Sequence, residues 1–300
     1  MKTFVILFTF CLSTTFLSGQ IDCADKIIKP SFSDSSKQIL EQKLSESKTN
    51  YDKDTSNPDN IIWYGRRTAY LGNYQEAIEI FSKGIQLHPK DARFYRHRGH
   101  RYISIRCIDK AIEDFKAAAK LTKGKPDEIE PDGMPNAQNI PTSTLQTNIY
   151  YHLGLAYYLK GQFAEAESAY KECIKLSKNP DMYVATANWY YITLRRLKKD
   201  REAGKLLSSI SENIKLIENK DYLSILLLYK QKAEADSIKQ KIMGGANTLS
   251  NASLGYGLGN YYLLKGDKNT AKEIFNQIIS GNQWSSFGYI ASQAELRRSQ

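Results

Sequence analysis

Two histidines, His97 and His100, lie three residues apart in a basic segment of the chain. On a helix this spacing places both rings on one face, where they could share a metal ion. No third ligand accompanies them, and the sequence has no His-Glu-x-x-His run, Walker phosphate loop or dinucleotide-binding motif. It also lacks the Gly-x-Ser-x-Gly turn of serine hydrolases. The sequence therefore predicts no metal site, no cofactor and no catalytic residue, and hence a protein that is not an enzyme. An enzyme that uses the cluster of His, Arg and Asp residues is the least favoured alternative.

Arginine side chains offer a different chemistry. The 300 residues include 42 Lys+Arg against 32 Asp+Glu, which gives a net charge of +10. A charge of this sign favours an acidic partner. The guanidinium fork binds carboxylates and phosphates through paired hydrogen bonds. The chemistry that the composition favours is therefore recognition of anionic groups.

The N-terminus has the pattern of a secretory signal peptide. A basic start is followed by an apolar run over residues 3–17 and a small-residue exit at residues 18–20. The apolar run is shorter than the roughly 20 residues that span a bilayer, and no later stretch is long enough. We therefore predict a signal peptide at residues 1–20 and an exported protein, periplasmic or secreted, with no transmembrane segment. A lipoprotein is the less favoured alternative, because Ile21 and Asp22 stand where such signals carry small residues before the cysteine.

The cysteine count does not indicate a disulfide framework. Removal of the signal peptide, which contains Cys11, leaves Cys23, Cys107 and Cys173. An odd number of cysteines means that packed apolar surface must stabilise the fold. One bridge is compatible with this count, but the sequence does not place it.

The elements that position these residues follow a repeat that begins after Pro58. Residues 21–57 are rich in Lys, Ser, Asp and Asn and predict a polar leader, partly disordered, with at most one helix. Beyond it, a Gly, an Ala twelve residues later and an aromatic residue four further on recur at fixed spacing. The copies are Gly65, Ala77 and Phe81; Gly99, Ala111 and Phe115; Gly154, Ala166 and Tyr170; Gly259, Ala271 and Phe275; and, without the glycine, Tyr191, Ala203 and Leu207.

Each copy predicts two helices joined by a short turn. The small Ala lets the second helix approach the first, and the aromatic residue on the same face fills the space between them. A further glycine seven residues after the first, as at Gly72, Gly161 and Gly266, suits a left-handed residue where the first helix ends. One pair cannot bury its apolar face alone, so the copies must stack.

This pattern resembles the tetratricopeptide repeat (TPR) family. The resemblance is best seen in Trp63-Tyr64-Gly65, Tyr70-Leu71-Gly72-Asn73-Tyr74-Gln75-Glu76-Ala77, Phe81 and Pro89, and again in residues 150–170. It implies an all-α fold, a right-handed superhelix (α-solenoid) of stacked antiparallel helix pairs over residues 58–296. About six pairs are expected, one of them degenerate near residues 217–250, with residues 284–296 as a closing helix over the last open face.

A proline-rich, acidic insertion at residues 124–144 separates the second and third copies. Four of the eight prolines of the chain lie in it, so no helix runs through. Long loops of this kind are either functional or disordered. We interpret the insertion as a lid on the groove, held by basic residues of the second copy; a solvated loop without a role is the alternative. Burial of Ile129, Met134 and Ile140 is expected if the loop is ordered.

The family resemblance also implies which residues face the concave groove. In TPR proteins the first helix of each pair lines this surface. The groove candidates are Arg66, Arg93, Arg96, His100, Asn148, Tyr151, Tyr158, Asn188 and Arg195. One end of the groove would then be cationic and its middle aromatic. The Lys and Asn of the carboxylate clamp of chaperone-binding relatives are absent, since Ile62 and Arg66 stand in their place.

These observations favour a non-enzymatic exported scaffold that binds a protein or peptide of acidic character in the groove of a TPR array. A receptor for an anionic small molecule or an envelope saccharide is the alternative, with Arg66, Arg96 and His100 as the anion site. Nucleic acid is not expected as a partner, because the signal peptide argues against it.

Overall fold

The computed structural model describes residues 23–24, 26–243 and 248–299. The predicted signal peptide lies outside them. The described residues form fourteen helices and no β-strand, with one isolated antiparallel bridge between Ile129 and Thr144. The helices are α1 (Asp34–Lys53), α2 (Pro58–Tyr70), α3 (Tyr74–Leu87), α4 (Ala92–Ser104), α5 (Ile108–Thr122), α6 (Leu145–Lys160), α7 (Phe163–Leu176), α8 (Pro180–Arg196), α9 (Asp200–Ser208), α10 (Lys220–Tyr229), α11 (Ala235–Met243), α12 (Leu249–Leu264), α13 (Lys268–Ile279) and α14 (Phe287–Arg298).

The helices from α2 onward form a solenoid, as predicted. Five antiparallel pairs stack along it: α2 with α3, α4 with α5, α6 with α7, α8 with α9, and α12 with α13. The copy predicted to be degenerate differs, because α11 packs against α12 rather than forming a close pair with α10. Helix α10 bridges α8 and α12. In the described part of the chain no helix is both long and apolar enough to cross a bilayer.

The repeated Gly, Ala and aromatic residues meet where the two helices of a pair cross. Ala77, Ala111, Ala166 and Ala271 are at most 1% exposed, which confirms their predicted burial. A methyl group added at Gly154 would lie 2.6 Å from the Tyr170 ring. The pairs built on Gly65, Gly99 and Gly259 have the same contact with their own aromatic residue. The spacing recurs in the sequence because each of these pairs uses the same helix-crossing geometry.

The turn after the first helix of each pair uses a left-handed residue. Gly72, Gly161 and Gly266 have φ values of +82°, +78° and +89°, as predicted. Copies without glycine there adopt the same conformation at Arg106, Lys198 and Gln231, with φ values of 65°, 58° and 59°. Gln231 follows α10, so this turn persists in the degenerate copy, where the sequence pattern is poor.

The leader is more ordered than the sequence predicts. Its helix α1 packs against α2, with Leu40 buried and Tyr51 stacked on Tyr64 at 5.1 Å. A disulfide joins Cys23 to Cys107, which lies at the N-cap of α5. Cys173 is free and buried. The bridge that the sequence could not place thus fastens the leader to the second pair.

The last helix, α14, reaches much further than the closing helix that was predicted. It packs against α12 and α13 and also against α6 of the third pair. Just before it, the Trp284 ring stacks on Tyr74 at 6.2 Å and lies under the Arg106 guanidinium at 3.7 Å. The array therefore curves enough for its C-terminal segment to contact its first two pairs.

Candidate functional site: an arginine-lined cavity beneath the insertion

The middle of the concave face, predicted to be an aromatic groove, is covered by α14. Tyr151, Tyr158 and Asn188 are 6%, 0% and 2% exposed. The Tyr158 hydroxyl donates a hydrogen bond to Glu295 of α14 at 3.1 Å, and burial raises its pKa. The expectation that these three side chains are available to a ligand is wrong, because all three are buried. Tyr151 and Tyr158 lie against Phe287 and Glu295 of the last helix, which the curvature of the array brings onto them.

Two predicted arginines, Arg93 and Arg195, do not lie with the other basic candidates, and Arg93 instead lines a separate cleft of about 740 Å³ at the base of the insertion. Arg93 forms ion pairs with Asp91 and Asp59, both at 2.6 Å. Arg195 pairs with Asp200 at 2.8 Å and donates a hydrogen bond to the Tyr191 hydroxyl. Each guanidinium already has a carboxylate partner on the surface, so neither extends the cationic end of the groove.

The remaining four predicted residues, Arg66, Arg96, His100 and Asn148, line a single cavity of about 280 Å³. Its wall comes mainly from α2, α4 and α6, the first helices of three successive pairs, with Phe81 of α3, and the insertion closes it. Helix α2 begins at Pro58 behind the capping side chain of Asn57, and α6 begins behind a capping box at Thr144. Helix α4, which carries Arg96 and His100, begins behind the capping side chain of Asp91. These three starts set the register that turns the four side chains toward one space.

The insertion is held over the cavity by basic side chains. Glu130 forms an ion pair with Arg96 at 2.9 Å. Arg66 donates to the Pro131 carbonyl at 2.8 Å, and Arg67 donates to the Gly133 carbonyl at 2.6 Å. Gly133 lies so close to Tyr70 that an added methyl group would overlap the Tyr70 hydroxyl. Residues of the first and the second copy therefore both hold the loop.

Polar contacts, not apolar burial, order the insertion. Ile129, Met134 and Ile140 are 69%, 60% and 46% exposed, so the expectation that they would be buried is wrong. At the base of the loop, Asp127 instead accepts hydrogen bonds from the Thr144 hydroxyl and the Gln146 amide. The acidic residues of the insertion thus have two roles. Asp127 accepts hydrogen bonds at the start of α6, and Glu130 pairs with Arg96 in the cavity wall.

The positive charge of the cavity comes from arginine alone. Burial, reinforced by the Arg96 charge, lowers the pKa of His97 well below its ordinary value, and burial beside Arg101 does the same for His100. Both rings are therefore neutral at pH 7. Burial also lowers the pKa of Arg101 to about 10, which leaves it charged. His100 can therefore contribute a hydrogen bond to an anion but no charge.

Arg101 is the cavity residue that sequence reasoning missed. Its guanidinium forms no ion pair with the described residues, in contrast to Arg93, Arg96 and Arg98 on the same helix. It follows His97 by four positions, so helical spacing places it on the same face, and this signal was available from the sequence. Arg101 is the cation most free to bind a ligand.

Comparisons with known proteins agree with the fold. The family model of the tetratricopeptide repeat matches residues 147–180, which span α6 and α7. Tetratricopeptide repeat protein 13 of Homo sapiens is 32% identical over 105 residues, which are 35% of this chain and 10% of the human protein. This chain therefore contains a tetratricopeptide repeat and matches a small part of that relative.

Two solved structures match this chain at low identity. A tetratricopeptide repeat protein from Parabacteroides merdae superposes with a TM-score of 0.50 at 16% identity, covering 87% of this chain and 94% of that one. YrrB, a TPR protein with an unusual peptide-binding site, gives a TM-score of 0.44 at 14% identity, with 83% and 97% covered. The first of these likenesses supports the fold and nothing beyond it.

Proposed function

We propose that this protein is a non-enzymatic, exported binding protein that holds the acidic end of a protein or peptide in the cavity beneath the insertion. The observation that carries the proposal is the meeting of three guanidinium groups, Arg66, Arg96 and Arg101, in one cavity. Grouped arginines recognise carboxylates and phosphates by charge and by fork geometry.

The position of α14 decides which part of the array is available to a partner. Helix α14 covers α6 and α12 on the concave side, so an extended peptide has no continuous path along the solenoid. The insertion end retains an open volume with uncompensated charge at Arg101. The proposal is therefore recognition of a chain end at one point, in place of a peptide lying along the whole groove.

The disulfide supports the exported location. Cys23 and Cys107 are separated by 84 residues in sequence and are bonded to each other. Structural disulfides persist in oxidising compartments such as the periplasm and the extracellular space. Together with the signal-like N-terminus, the bond favours a periplasmic or secreted protein.

A receptor for an anionic small molecule is the second candidate. The cavity volume of about 280 Å³ suits a small ion or molecule, because pockets that enclose larger, drug-sized ligands measure roughly 300–1,000 Å³. The same arginines would serve both ligands. The two candidates differ in one respect: a protein or peptide would also contact the protein surface outside the cavity, whereas a small molecule would bind within the cavity alone.

A peptide library with either free or amidated C-termini tests the proposal. We expect free carboxyl ends to bind the full chain, as measured by fluorescence anisotropy, and amidated ends to bind at least tenfold more weakly. Arg101→Gln removes a cavity charge without breaking an ion pair, and it should abolish the preference. Arg93→Gln, on the same helix but outside the cavity, is the control. Equal binding by both peptide sets, or an Arg101→Gln variant that binds like wild type, would refute the proposal.

A further inference from the structure

We infer that the insertion is an intramolecular competitor for the arginine-lined cavity: its Glu130 side chain occupies Arg96 in the free protein, and the carboxylate of a partner takes its place. The inference rests on the proposed function, since it assumes that the cavity binds a carboxylate. It adds how binding at this cavity is regulated. The observation behind it is that the loop presents to the cavity arginines the same groups that the proposed partner would bring.

The segment over the cavity has the contacts of a bound peptide. Its Glu130 amide donates to the Ser143 carbonyl at 3.3 Å, beside the antiparallel bridge of the preceding residue. The Glu130 carboxylate pairs with Arg96 at 2.9 Å, and the Pro131 carbonyl accepts from Arg66 at 2.8 Å. The end of a peptide offers the same two groups, a carboxylate and the carbonyl of the residue before it. The loop therefore resembles a ligand that is covalently part of the protein.

This loop neutralises one of the three cavity arginines. The Arg96 and Glu130 side chains are only 10% and 8% exposed, so salt screens their ion pair poorly. Among the described residues, Arg66 donates only to neutral oxygen atoms and Arg101 forms no ion pair. Removing the carboxylate of a buried pair leaves the guanidinium uncompensated, whereas a second carboxylate that takes its place avoids this cost. Arg96 therefore releases Glu130 in exchange for the carboxylate of a partner.

The loop can leave the cavity without disturbing the helices. The Ile, Met and Pro side chains of the insertion are all exposed, so no apolar packing of these residues holds it in place. Within the described structure, residues 134–140 form hydrogen bonds only with one another, such as that from the Ile140 amide to the Asn136 side chain. The base stays attached, because Asp127 accepts from the Gln146 amide of α6. Such a tether keeps the competitor at high effective concentration beside the cavity.

Two substitutions release the loop and keep every cavity arginine. A methyl group added at Gly133 would lie 1.7 Å from the Tyr70 hydroxyl, so Gly133→Ala must push the loop away from α2. Arg67 donates to the Gly133 carbonyl at 2.6 Å but does not line the cavity, so Arg67→Gln loosens the same contact. Ala137→Ser, at the exposed tip of the loop, is the matched control.

Fluorescence anisotropy of the full chain with labelled peptides that have free C-termini tests the inference. We expect Gly133→Ala and Arg67→Gln to bind these peptides about tenfold more tightly than wild type, which is the gain if the loop covers the cavity for about nine-tenths of the time. Ala137→Ser should bind like wild type. For Arg67→Gln the sign is diagnostic, because loss of a positive charge would by itself weaken the binding of an anion.

An unlabelled, C-terminally amidated octapeptide of residues 127–134 provides a second measurement. We expect it to displace the labelled peptides from the Gly133→Ala chain, since it carries the segment that the variant moves out of the cavity. The same octapeptide with Glu130→Gln should compete about tenfold less well, because it lacks the charge-assisted bond to Arg96.

The outcomes separate this inference from the proposed function. If wild type binds the labelled peptides and both loop variants bind them equally or more weakly, the inference is wrong and the proposed function stands, since the loop then forms part of the binding wall. An octapeptide that does not compete also overturns the inference alone. If no labelled peptide binds wild type or either loop variant, both the inference and the proposed function are wrong.

Discussion

Replacement of Glu295 by Ala should detach α14 from the concave face at a large cost in stability. The Glu295 side chain is 4% exposed, forms ion pairs with Arg196 at 2.9 Å and Arg298 at 2.7 Å, and accepts the Tyr158 hydroxyl at 3.1 Å. Removing one partner of a buried ion pair costs about 3–5 kcal/mol. The two arginine side chains are 21% and 23% exposed and can partly rehydrate, so we expect the lower end, about 3 kcal/mol.

The assay is urea unfolding of the full chain, followed by circular dichroism. Glu273→Ala, at an exposed carboxylate on α13, is the matched control and should change the free energy of unfolding by less than about 0.5 kcal/mol. A loss for Glu295→Ala no larger than that of the control would show that this cluster does not hold α14 in place.

The same cluster gives a pH dependence whose sign is fixed. Burial raises the pKa of Glu295, but the charges of Arg298 and Arg196 outweigh it, so its pKa in the folded state lies below the ordinary value. Its contribution is therefore fully present above the unfolded pKa of about 4.3 and is lost as the pH falls through the lower folded pKa. Glu295→Gln should flatten this acid limb of the stability curve.

Three further predictions concern packing, the insertion and the leader. Ala166→Leu should overpack the third helix pair and lower the free energy of unfolding by about 1–3 kcal/mol, whereas Leu at the exposed Ala164 should not; equal melting temperatures would contradict this. Replacing residues 131–139 by a short Gly-Ser linker should leave the helical circular dichroism spectrum and the melting temperature nearly unchanged but should alter ligand affinity, since the helix pairs stack without the loop; unfolding would show that the loop is structural. Reduction of the Cys23–Cys107 bond should release the leader and cost about 2–4 kcal/mol, measured by unfolding with and without dithiothreitol; proteolysis at the leader that does not increase on reduction would argue against this.

The elements and the packing of each helix pair could be predicted from the sequence because they depend on short-range relations. A glycine, an alanine twelve residues on and an aromatic residue four beyond meet within one pair, as in Gly154, Ala166 and Tyr170. The left-handed turn at Gly161 follows from the same local rule. The arrangement of the degenerate copy could not be predicted in detail. Its helices α10 and α11 do not form a close pair, so the sequence there does not need the Gly, Ala and aromatic residues that pack where two helices cross.

The candidate site could be predicted only in part. Helical register alone brings Arg66, Arg96, His100 and Asn148 toward one side of the array, and these four line the cavity. Register cannot say which charges are already paired, so Arg93 was included although Asp91 and Asp59 neutralise it. It also cannot say that burial leaves His100 neutral.

The sequence by itself determined the helix pairs, their turns and the existence of a long insertion, because each follows from contacts between residues fewer than about 34 positions apart. Only the tertiary structure decided what the concave face contains. Each pair is rotated slightly relative to the last, and these rotations accumulate into a curvature that no local pattern encodes. That curvature brings Glu295 onto Tyr158 and Trp284 onto Tyr74, and it leaves the cavity beneath the insertion uncovered by α14.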